Sequence, residues 1–203
     1  MNETGIIWTS YTWNPASGCE RITEGCKYCY AHVLAENKRG TRAFPQGFDL
    51  TIRPHKLREP YSIKTPSMIF VNSMSDLFWQ QIPDDYRDRI MDVIEDTPQH
   101  VYQVLTKRPE RMLAYSQRRT LPHNFWAGVT IECNRHTGRA DVLRQVKTAI
   151  RFISAEPILD DLSSLDLGGI DWLISGGESG LHLRDPAIRA RRGLAEPANG
   201  QWQ

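Results

Sequence analysis

Three of the four cysteines in this chain lie close together, in the stretch SGCERITEGCKYCYA over residues 17–31. Six residues separate Cys19 from Cys26, and two separate Cys26 from Cys29. Thiolate is the ligand that iron–sulfur clusters prefer, and a short loop can place three thiolates around one cluster. A cluster that only carries electrons is closed by a fourth thiolate, so a set of three leaves one iron open to a substrate or cofactor. The spacing therefore predicts an open [4Fe–4S] site on Cys19, Cys26 and Cys29.

Two other interpretations of these cysteines stay open. His32 follows Cys29 after two residues, so the three thiolates and His32 could form a closed Cys₃His zinc site, although zinc ligand pairs are usually spaced by about two to four residues. The cysteines could also be unligated or act as a redox switch. The fourth cysteine, Cys133, is isolated in the sequence, and we expect it to be a half-buried residue at a strand end.

Two glycines suit a loop that folds tightly around a bulky anionic group. Gly18 and Gly25 would let the backbone turn its amide groups toward sulfur. A helix that begins near Cys26 would add the positive end of its dipole to the same site.

Short apolar runs alternate with helix-like segments along the chain. The predicted strands are 5–13, 67–73, 101–106, 124–131, 150–155 and 171–176, and the predicted helices cover 83–97, 108–119 and 134–149. In the first of these helices Ile90, Val93 and Ile94 recur at helical spacing. Near-continuous apolar strands separated by amphipathic helices are typical of a parallel sheet covered by helices. The sequence thus predicts an α/β fold with six parallel strands, in a doubly wound sheet or a TIM-like barrel.

Polar residues and glycines follow the predicted strands. They are Asn72, Ser73, Ser75 and Asp76 after the second strand, Thr106, Lys107 and Arg108 after the third, Glu132 and Asn134 after the fourth, Glu156 after the fifth, and Gly176, Gly177, Glu178 and Ser179 after the sixth. A parallel barrel carries its active site at the carboxyl ends of its strands. We therefore expect a functional rim at this edge.

The composition indicates one domain without a strong overall charge. The chain has 203 residues, with 25 Lys and Arg against 24 Asp and Glu and a net charge of +1, so no overall field favours a polyanion or a membrane surface. Any basic site is local, such as the run Arg184, Arg189, Arg191 and Arg192. No apolar run approaches the roughly 20 residues of a membrane helix, and the N-terminus lacks a signal-peptide pattern. We expect a cytoplasmic protein that does not act at a membrane.

Six segments carry a resemblance to a known family. They are TWNPASGCERITEGCKYCYA, FVNSMSDLF, QVLTKRPERM, WAGVTIE, RFISAEP and IDWLISGGESG, and the match covers residues 8 to about 185. The chain resembles the uncharacterised three-cysteine-motif family of phages and bacterial genomes (phage protein, DUF5131-like). That family is similar to the radical S-adenosylmethionine (SAM) enzymes of the spore photoproduct lyase type, although its cysteine spacing differs from the pattern usual among them.

The resemblance implies a domain organisation. Residues 1–185 would form a partial (β/α)₆ TIM-like barrel of the radical SAM type, with parallel strands, outer helices and the cysteine loop near the N-terminus. The long excursion over residues 39–65 would cover the cluster or face the substrate. The tail over residues 186–203 departs from the family, whose members usually continue with a helix and an aromatic segment, and we expect a truncation there.

The resemblance also implies a cofactor set. The open iron of the [4Fe–4S] cluster would chelate SAM, an electron donor such as a flavodoxin or ferredoxin would reduce the cluster, and the radical chemistry would act on an unknown substrate, with nucleic acid as one class. The residues implied in cofactor binding are Tyr28, Ser73, Ser75, Asp76, Lys107, Arg108, Glu132, Glu156, Gly176, Gly177 and Glu178.

Individual roles follow from the same resemblance. Tyr28 matches the position that packs near the adenine. The group Ser73, Ser75 and Asp76 would bind the methionine ammonium or the ribose, and Lys107 or Arg108 would hold the SAM carboxylate. The three glutamates would face the ribose or the substrate. A second function stays open, namely a non-catalytic adaptor or binding protein whose cysteines hold structural zinc and whose partner protein is encoded nearby.

Overall fold

The computed structural model describes residues 1–177. In this range the strands are β1 Asn2–Glu3, β2 Tyr11–Trp13, β3 Ala16–Ser17, β4 Thr51–Ile52, β5 Met68–Val71, β6 Val101–Thr106, β7 Phe125–Thr130, β8 Ile150–Ala155 and β9 Trp172–Ser175. The α-helices are α1 Tyr30–Asn37, α2 Asp84–Asp96, α3 Pro109–Arg118 and α4 Arg139–Gln145, and short 3-10 helices cover Glu24–Cys26, Pro54–Lys56, Pro60–Ser62 and Asn134–His136. The predicted residues Glu178 and Ser179, the basic run and the tail 186–203 lie outside the described range.

Six strands form a parallel sheet in the order of the sequence. The order is β2-β5-β6-β7-β8-β9, and β1 adds an antiparallel strand at the β2 edge. Because right-handed crossovers in sequential order place all helices on the same face, α2, α3 and α4 share one core with the sheet. The α/β class and the six parallel strands are confirmed. No closed barrel forms within the described residues, because β1 occupies the free edge of β2 and β9 pairs only with β8.

Alternation along the strands separates the two faces of the sheet. On β7, Phe125, Ala127 and Val129 belong to the core under the helices, so Trp126 and Gly128 face the opposite side. A Cβ at Gly128 would collide with the ring of Phe152 on β8. Glycine at this position therefore leaves room for the Phe152 ring on the sheet face that is turned away from the helices, which we call the inner face.

The inner face is strongly curved around Trp8. The Trp8 ring lies 4.8 Å from Phe70 on β5 and 6.2 Å from Trp172 on β9, so those two rings are no more than about 11 Å apart. In a flat sheet the four inter-strand spacings from β5 to β9 would separate them by roughly 19 Å. The backbone carbonyl of Trp8 also accepts a hydrogen bond of 2.9 Å from Gln103 Nε2 on β6. Trp8 thus packs inside the curve of the sheet.

The predicted first strand over 5–13 is wrong for its first half. Only Tyr11–Trp13 is a strand, because the chain reverses over residues 5–10 and β1 pairs back on β2, with Glu3 opposite Tyr11. Within this segment Trp8 packs on the inner face of the sheet, whereas Ile7 is fully exposed.

Two predicted helices differ from those observed. The helix expected over residues 134–149 divides into the 3-10 helix Asn134–His136 and α4 Arg139–Gln145. The helix expected near Cys26 is a 3-10 turn at Glu24–Cys26, and α1 begins only at Tyr30. The crossover over residues 156–171 contains no helix, because its run DDLSSLDLGG is rich in turn-forming residues. Leu162, Leu165 and Ile170 cover the core there in place of a helix. No helix among the described residues is both long and apolar enough to cross a bilayer.

Candidate functional site

A cavity of about 460 Å³ opens at the carboxyl ends of the parallel strands. We call it the strand-end cavity. It is lined by the three clustered cysteines, Tyr28, Trp8, Phe70, Asn72, Ser73, Ser75, Asp76, Thr106, Lys107, Arg108, Glu156 and Gly177, among others. Most of the predicted site residues within the described range therefore line one cavity. Its volume lies within the range of about 300–1,000 Å³ that is usual for small-molecule sites.

The cysteine loop, residues 17–29, is attached to the sheet by backbone contacts. Gly18 N donates to Met74 O at 2.9 Å, and the Ser75 hydroxyl donates to Gly18 O at 2.7 Å. Gly18 has φ of +96°, and a Cβ there would collide with the Asp49 carbonyl. Glycine is therefore required at this turn, because it alone tolerates both the backbone angle and the close approach.

The excursion over residues 39–65 supports the outer side of this loop. Its strand β4 pairs antiparallel with β3 at the start of the cysteine loop, and Phe48 O accepts a hydrogen bond from Cys19 N at 3.3 Å. Phe48 also packs with Ala31, Ala35 and Met74 in a small apolar cluster. Cys19 and Cys29 pack against the same apolar cluster. The excursion therefore helps to position two of the three cysteines.

The thiols of the loop have different electrostatic surroundings. Burial and the charge of Asp76 raise the pKa of Cys19 to about 11, although Arg108 Nη1 lies 3.8 Å from its sulfur. Burial disfavours the Cys26 thiolate as well, but hydrogen bonds from the Ile22 backbone and the Thr23 hydroxyl, with the charge of Lys107, lower its pKa. The helix α1 begins directly after Cys29, so the positive end of its dipole lies beside the third thiol.

The three sulfurs of the loop are too widely spaced to hold one zinc ion without movement of the loop. Thiolates about 2.3 Å from a tetrahedral zinc lie roughly 3.8 Å from one another, whereas among the described residues Cys19, Cys26 and Cys29 do not form a set with all sulfurs within 4.8 Å. Thiolates on a cluster lie farther apart, because each binds a different iron. His32, the fourth ligand of the zinc alternative, is outside the cavity lining and its Nδ1 bonds to Arg21 Nη2 at 2.8 Å.

Asn72 belongs to the expected rim of polar residues but was not among the residues implied in cofactor binding. It is the one described non-glycine residue with a positive φ, at 62°, and only 2 % of its surface is exposed. Neither Nδ2 nor Oδ1 has a hydrogen-bond partner among residues 1–177, yet the side chain lines the strand-end cavity. A buried amide without partners costs about 1–3 kcal/mol. An orphaned donor and acceptor at a cavity wall are what a polar ligand would satisfy.

The carboxylate of Asp76 is already fully engaged. Its Oδ1 accepts from Phe78 N and the Thr106 hydroxyl, and its Oδ2 accepts from Lys107 N and Arg108 Nη1, all at 2.7–3.1 Å. Four acceptor positions exhaust the capacity of a carboxylate. Asp76 therefore positions the loop after β6 and leaves no lone pair for a ligand. Arg108 is held by this pair and by Glu20 Oε2 at 3.4 Å.

The two serines also have partners within the protein. Ser75 donates to Gly18 O as described above, and the Ser73 hydroxyl lies 3.0 Å from Asn14 Nδ2. A hydroxyl keeps lone pairs after one such bond, so both serines can still accept from a ligand in the cavity.

Lys107 and Glu156 face the cavity with opposite charges. The Lys107 ammonium makes no hydrogen bond or ion pair within the described part of the chain. Burial raises the pKa of Glu156, although hydrogen bonds from Ser154 and Trp8 oppose the shift. A side chain at Gly176 would collide with the Glu156 carboxyl, so Gly176 makes room for Glu156 and does not itself line the cavity. Gly177 lines it.

Glu132 lies behind the cysteine loop and outside the cavity lining. It is fully buried, accepts from the Thr23 hydroxyl, and pairs with Arg139 Nη1 at 2.7 Å. A Cβ at Gly25 would lie 2.8 Å from Glu132 Oε1. Burial raises the pKa of Glu132, but the charges of Lys107 and Arg139 and the Thr23 bond outweigh it and lower the pKa. In this position Glu132 holds the loop in place.

The fold and site together define an α/β protein with a sequentially ordered parallel sheet and a three-cysteine loop above a cavity at the strand ends. A family model described as "Protein of unknown function (DUF5131)" matches residues 3–197, and the chain belongs to that family. No curated protein and no solved structure matches the chain significantly. The comparisons thus establish the family and name no activity, cofactor or substrate.

Proposed function

We propose that this protein is a radical SAM-like iron–sulfur protein. On this proposal Cys19, Cys26 and Cys29 hold a [4Fe–4S] cluster, and the strand-end cavity holds SAM against the open iron. The curved, sequentially ordered sheet is then a partial (β/α)₆ barrel. The observation that carries the proposal is that three thiols and the orphaned amide of Asn72 line the same cavity.

The chemistry of the donor set supports an open cluster. Three thiols line the cavity, and each is only partly buried. The fourth cysteine, Cys133, is buried outside this lining. A cluster on the loop would therefore present its fourth iron to the cavity, where a chelating ligand can reach it.

The protein groups around the cavity match the polar groups of SAM. Asn72 offers one donor and one acceptor, which suit the carboxylate and the ammonium of an amino acid. Lys107 provides a cation without an ion-pair partner among residues 1–177, and the carboxyl of Glu156 can accept from a ribose or ammonium group. Trp8 and Phe70 give the cavity an apolar wall, which excludes water from a reactive intermediate.

The bound cofactors would supply the reaction itself. Bound together, the cluster and SAM would supply one-electron radical chemistry on a substrate, with a flavodoxin- or ferredoxin-like donor as the source of the electron. The residues of this chain bind, orient and shield SAM. The substrate, with nucleic acid as one class, is not identified by any group on the cavity wall.

Metal analysis after anaerobic reconstitution tests the cluster. We expect about four irons and four sulfides per chain, with both lost in Cys26→Ala. The matched control is Cys133→Ser, which alters a thiol outside the cavity and should keep the full iron content. Zinc that binds in a Cys26-dependent manner, without iron, would overturn the proposal and favour the adaptor with structural zinc.

Asn72→Gly tests the cofactor pocket. Glycine tolerates the positive φ of residue 72, and the substitution removes an amide that has no partner among residues 1–177. We therefore expect the free energy of unfolding to change by less than about 1 kcal/mol, while SAM binding to the reconstituted protein weakens by about 1.5–3 kcal/mol, the range for a hydrogen bond to a charged group. Unchanged affinity for SAM in this variant would remove Asn72 from the pocket.

A further inference from the structure

A second group of metal-ligand side chains lies beside the cysteine loop but outside the strand-end cavity. Glu24, Cys133 and His136 bring one carboxylate oxygen, one sulfur and one imidazole nitrogen within 4.8 Å of one another. His136 Nε2 lies 3.5 Å from Glu24 Oε2. Within residues 1–177 this is the one such group of three. We propose that it is a second metal site, selective for Zn²⁺ and independent of the iron site.

Local structure aligns two of the three ligands. Cys133 is the N-cap of the 3-10 helix Asn134–His136, and His136 N donates to Cys133 O at 3.0 Å. Cys133 has extended backbone angles, and the turn that follows it brings its sulfur within 4.8 Å of the His136 imidazole nitrogen. Their spacing of two intervening residues is typical of zinc ligand pairs.

The third ligand comes from the cysteine loop and is held in position there. Glu24 begins the 3-10 turn Glu24–Cys26. The neighbouring Thr23 hydroxyl donates to the buried Glu132, one residue before Cys133. Arg135 pairs with Oε1 of Glu24, and Oε2 of Glu24 lies 3.5 Å from His136 Nε2. The site would therefore use Glu24 as a monodentate ligand.

The donor set determines the class of metal. Zinc binds sulfur at about 2.3 Å and nitrogen or carboxylate oxygen at about 2.0–2.2 Å, so the ligand atoms need to approach by only about 1 Å. Magnesium and calcium prefer all-oxygen ligands, and thiolate with imidazole selects against both. Cys133 is 8 % exposed, which keeps the sulfur away from solvent. Three protein ligands leave the fourth tetrahedral position for water.

A metal here would join two separate parts of the chain. Glu24 lies in the cysteine loop, and Cys133 and His136 follow strand β7. The zinc would thus tie the cysteine loop to the segment that follows β7, in addition to the attachment of the loop at Met74 after β5.

Zinc titration of the cluster-loaded protein tests the site. The reconstituted, desalted protein is titrated with Zn²⁺ against a chromophoric chelator, and zinc and iron per chain are measured together. We expect one zinc per chain, and an affinity that falls by at least about 100-fold in His136→Gln, because loss of a ligand should exceed the roughly 10–100-fold effect of losing a supporting partner. Iron content should stay unchanged. The matched control is His32→Gln, the same substitution at a histidine beside the loop, which should leave zinc affinity unaltered.

Two further variants separate this inference from the proposed function. Cys133→Ser should also lose zinc and keep iron, and His136→Gln remains decisive if Cys133→Ser fails to fold by circular dichroism. A triple Cys19→Ser, Cys26→Ser, Cys29→Ser variant should lose iron and keep one zinc. Equal zinc affinity in wild type and His136→Gln, or loss of zinc in the triple variant alone, would overturn the second site. The iron content of the same variants tests the proposed [4Fe–4S] cluster separately.

Discussion

Replacement of Asp76 by alanine should unfold part of the site and not merely weaken ligand binding. The carboxylate is 6 % exposed and accepts four hydrogen bonds, two of them from the backbone amides of Phe78 and Lys107. The guanidinium of Arg108 is also buried, with 9 % of its side chain exposed, and lies 3.0 Å from Asp76 Oδ2. Asp76→Ala leaves this cation and both amides without their acceptor.

The expected magnitude follows from the burial of the pair. Removing one partner of a buried ion pair destabilises by about 3–5 kcal/mol, because the other charge stays buried and uncompensated. Glu20 Oε2 still faces Arg108 Nη2 at 3.4 Å and can take over part of the charge. We therefore expect the low end of this range, a loss of about 3 kcal/mol in the free energy of unfolding.

The assay is urea unfolding of the apo protein under reducing, anaerobic conditions, followed by tryptophan fluorescence. Iron content after reconstitution provides a second readout, and it should fall, because Arg108 Nη1 lies 3.8 Å from the sulfur of Cys19. Glu20→Ala is the matched control. It removes a carboxylate from the same guanidinium, but its side chain is 51 % exposed, so its effect should stay below about 1 kcal/mol.

One pattern of results would refute the reasoning. Suppose that the free energy of unfolding of Asp76→Ala lies within about 1 kcal/mol of the wild-type value, and that the variant assembles a full cluster but binds SAM more weakly. The Asp76 carboxylate of the wild type would then be available to the ligand. The sequence-based assignment of Asp76 to SAM binding would then stand, and the four contacts would contribute little.

Two further predictions concern the inner face. Trp8→Ala should lower the free energy of unfolding by about 3 kcal/mol. This is near the low end for truncation of a large aromatic side chain, because Trp8 is only partly buried. A change below about 1 kcal/mol in urea unfolding would contradict the packing of Trp8 against Phe70 and Trp172. Burial raises the pKa of Glu156 above its ordinary value of 4.5, so the folded state binds its proton more tightly and stability falls as pH rises from 4.5 through the raised pKa. Glu156→Gln should therefore be more stable than wild type at pH 7, with the difference vanishing below about pH 4.5, and a difference independent of pH would assign the effect to packing.

The regular part of the fold could be predicted from the sequence because local patterns determine it. The runs at β6 and β8 match their predicted bounds, and α2 and α3 lie within one residue of theirs at each end. Elements that depend on distant partners were not predicted. The two-residue strands β3 and β4 exist only because residues 16–17 meet residues 51–52, and no local propensity marks them.

The candidate site shows the same division. Residue type and strand-end position were enough to select the cysteines, Ser73, Lys107 and Glu156, which line one cavity. The roles of Asn72 and Asp76 depend on how their hydrogen bonds are satisfied. The sequence does not show whether a polar side chain has hydrogen-bond partners. Most partners of Asp76 come from residues 106–108, which only the folded chain brings beside it.

The cysteine loop takes its shape from residues that follow it far along the chain. Met74 and Ser75 anchor Gly18, strand β4 pairs with β3, and Glu132 holds Thr23. During synthesis the three thiols therefore leave the ribosome well before the residues that arrange them. A nascent chain at that stage would offer flexible thiols, which bind copper or zinc at least as readily as iron. On the proposed function, correct metal loading would then depend on timing as well as affinity, and the proposed iron site would mature only after β7 has joined the sheet.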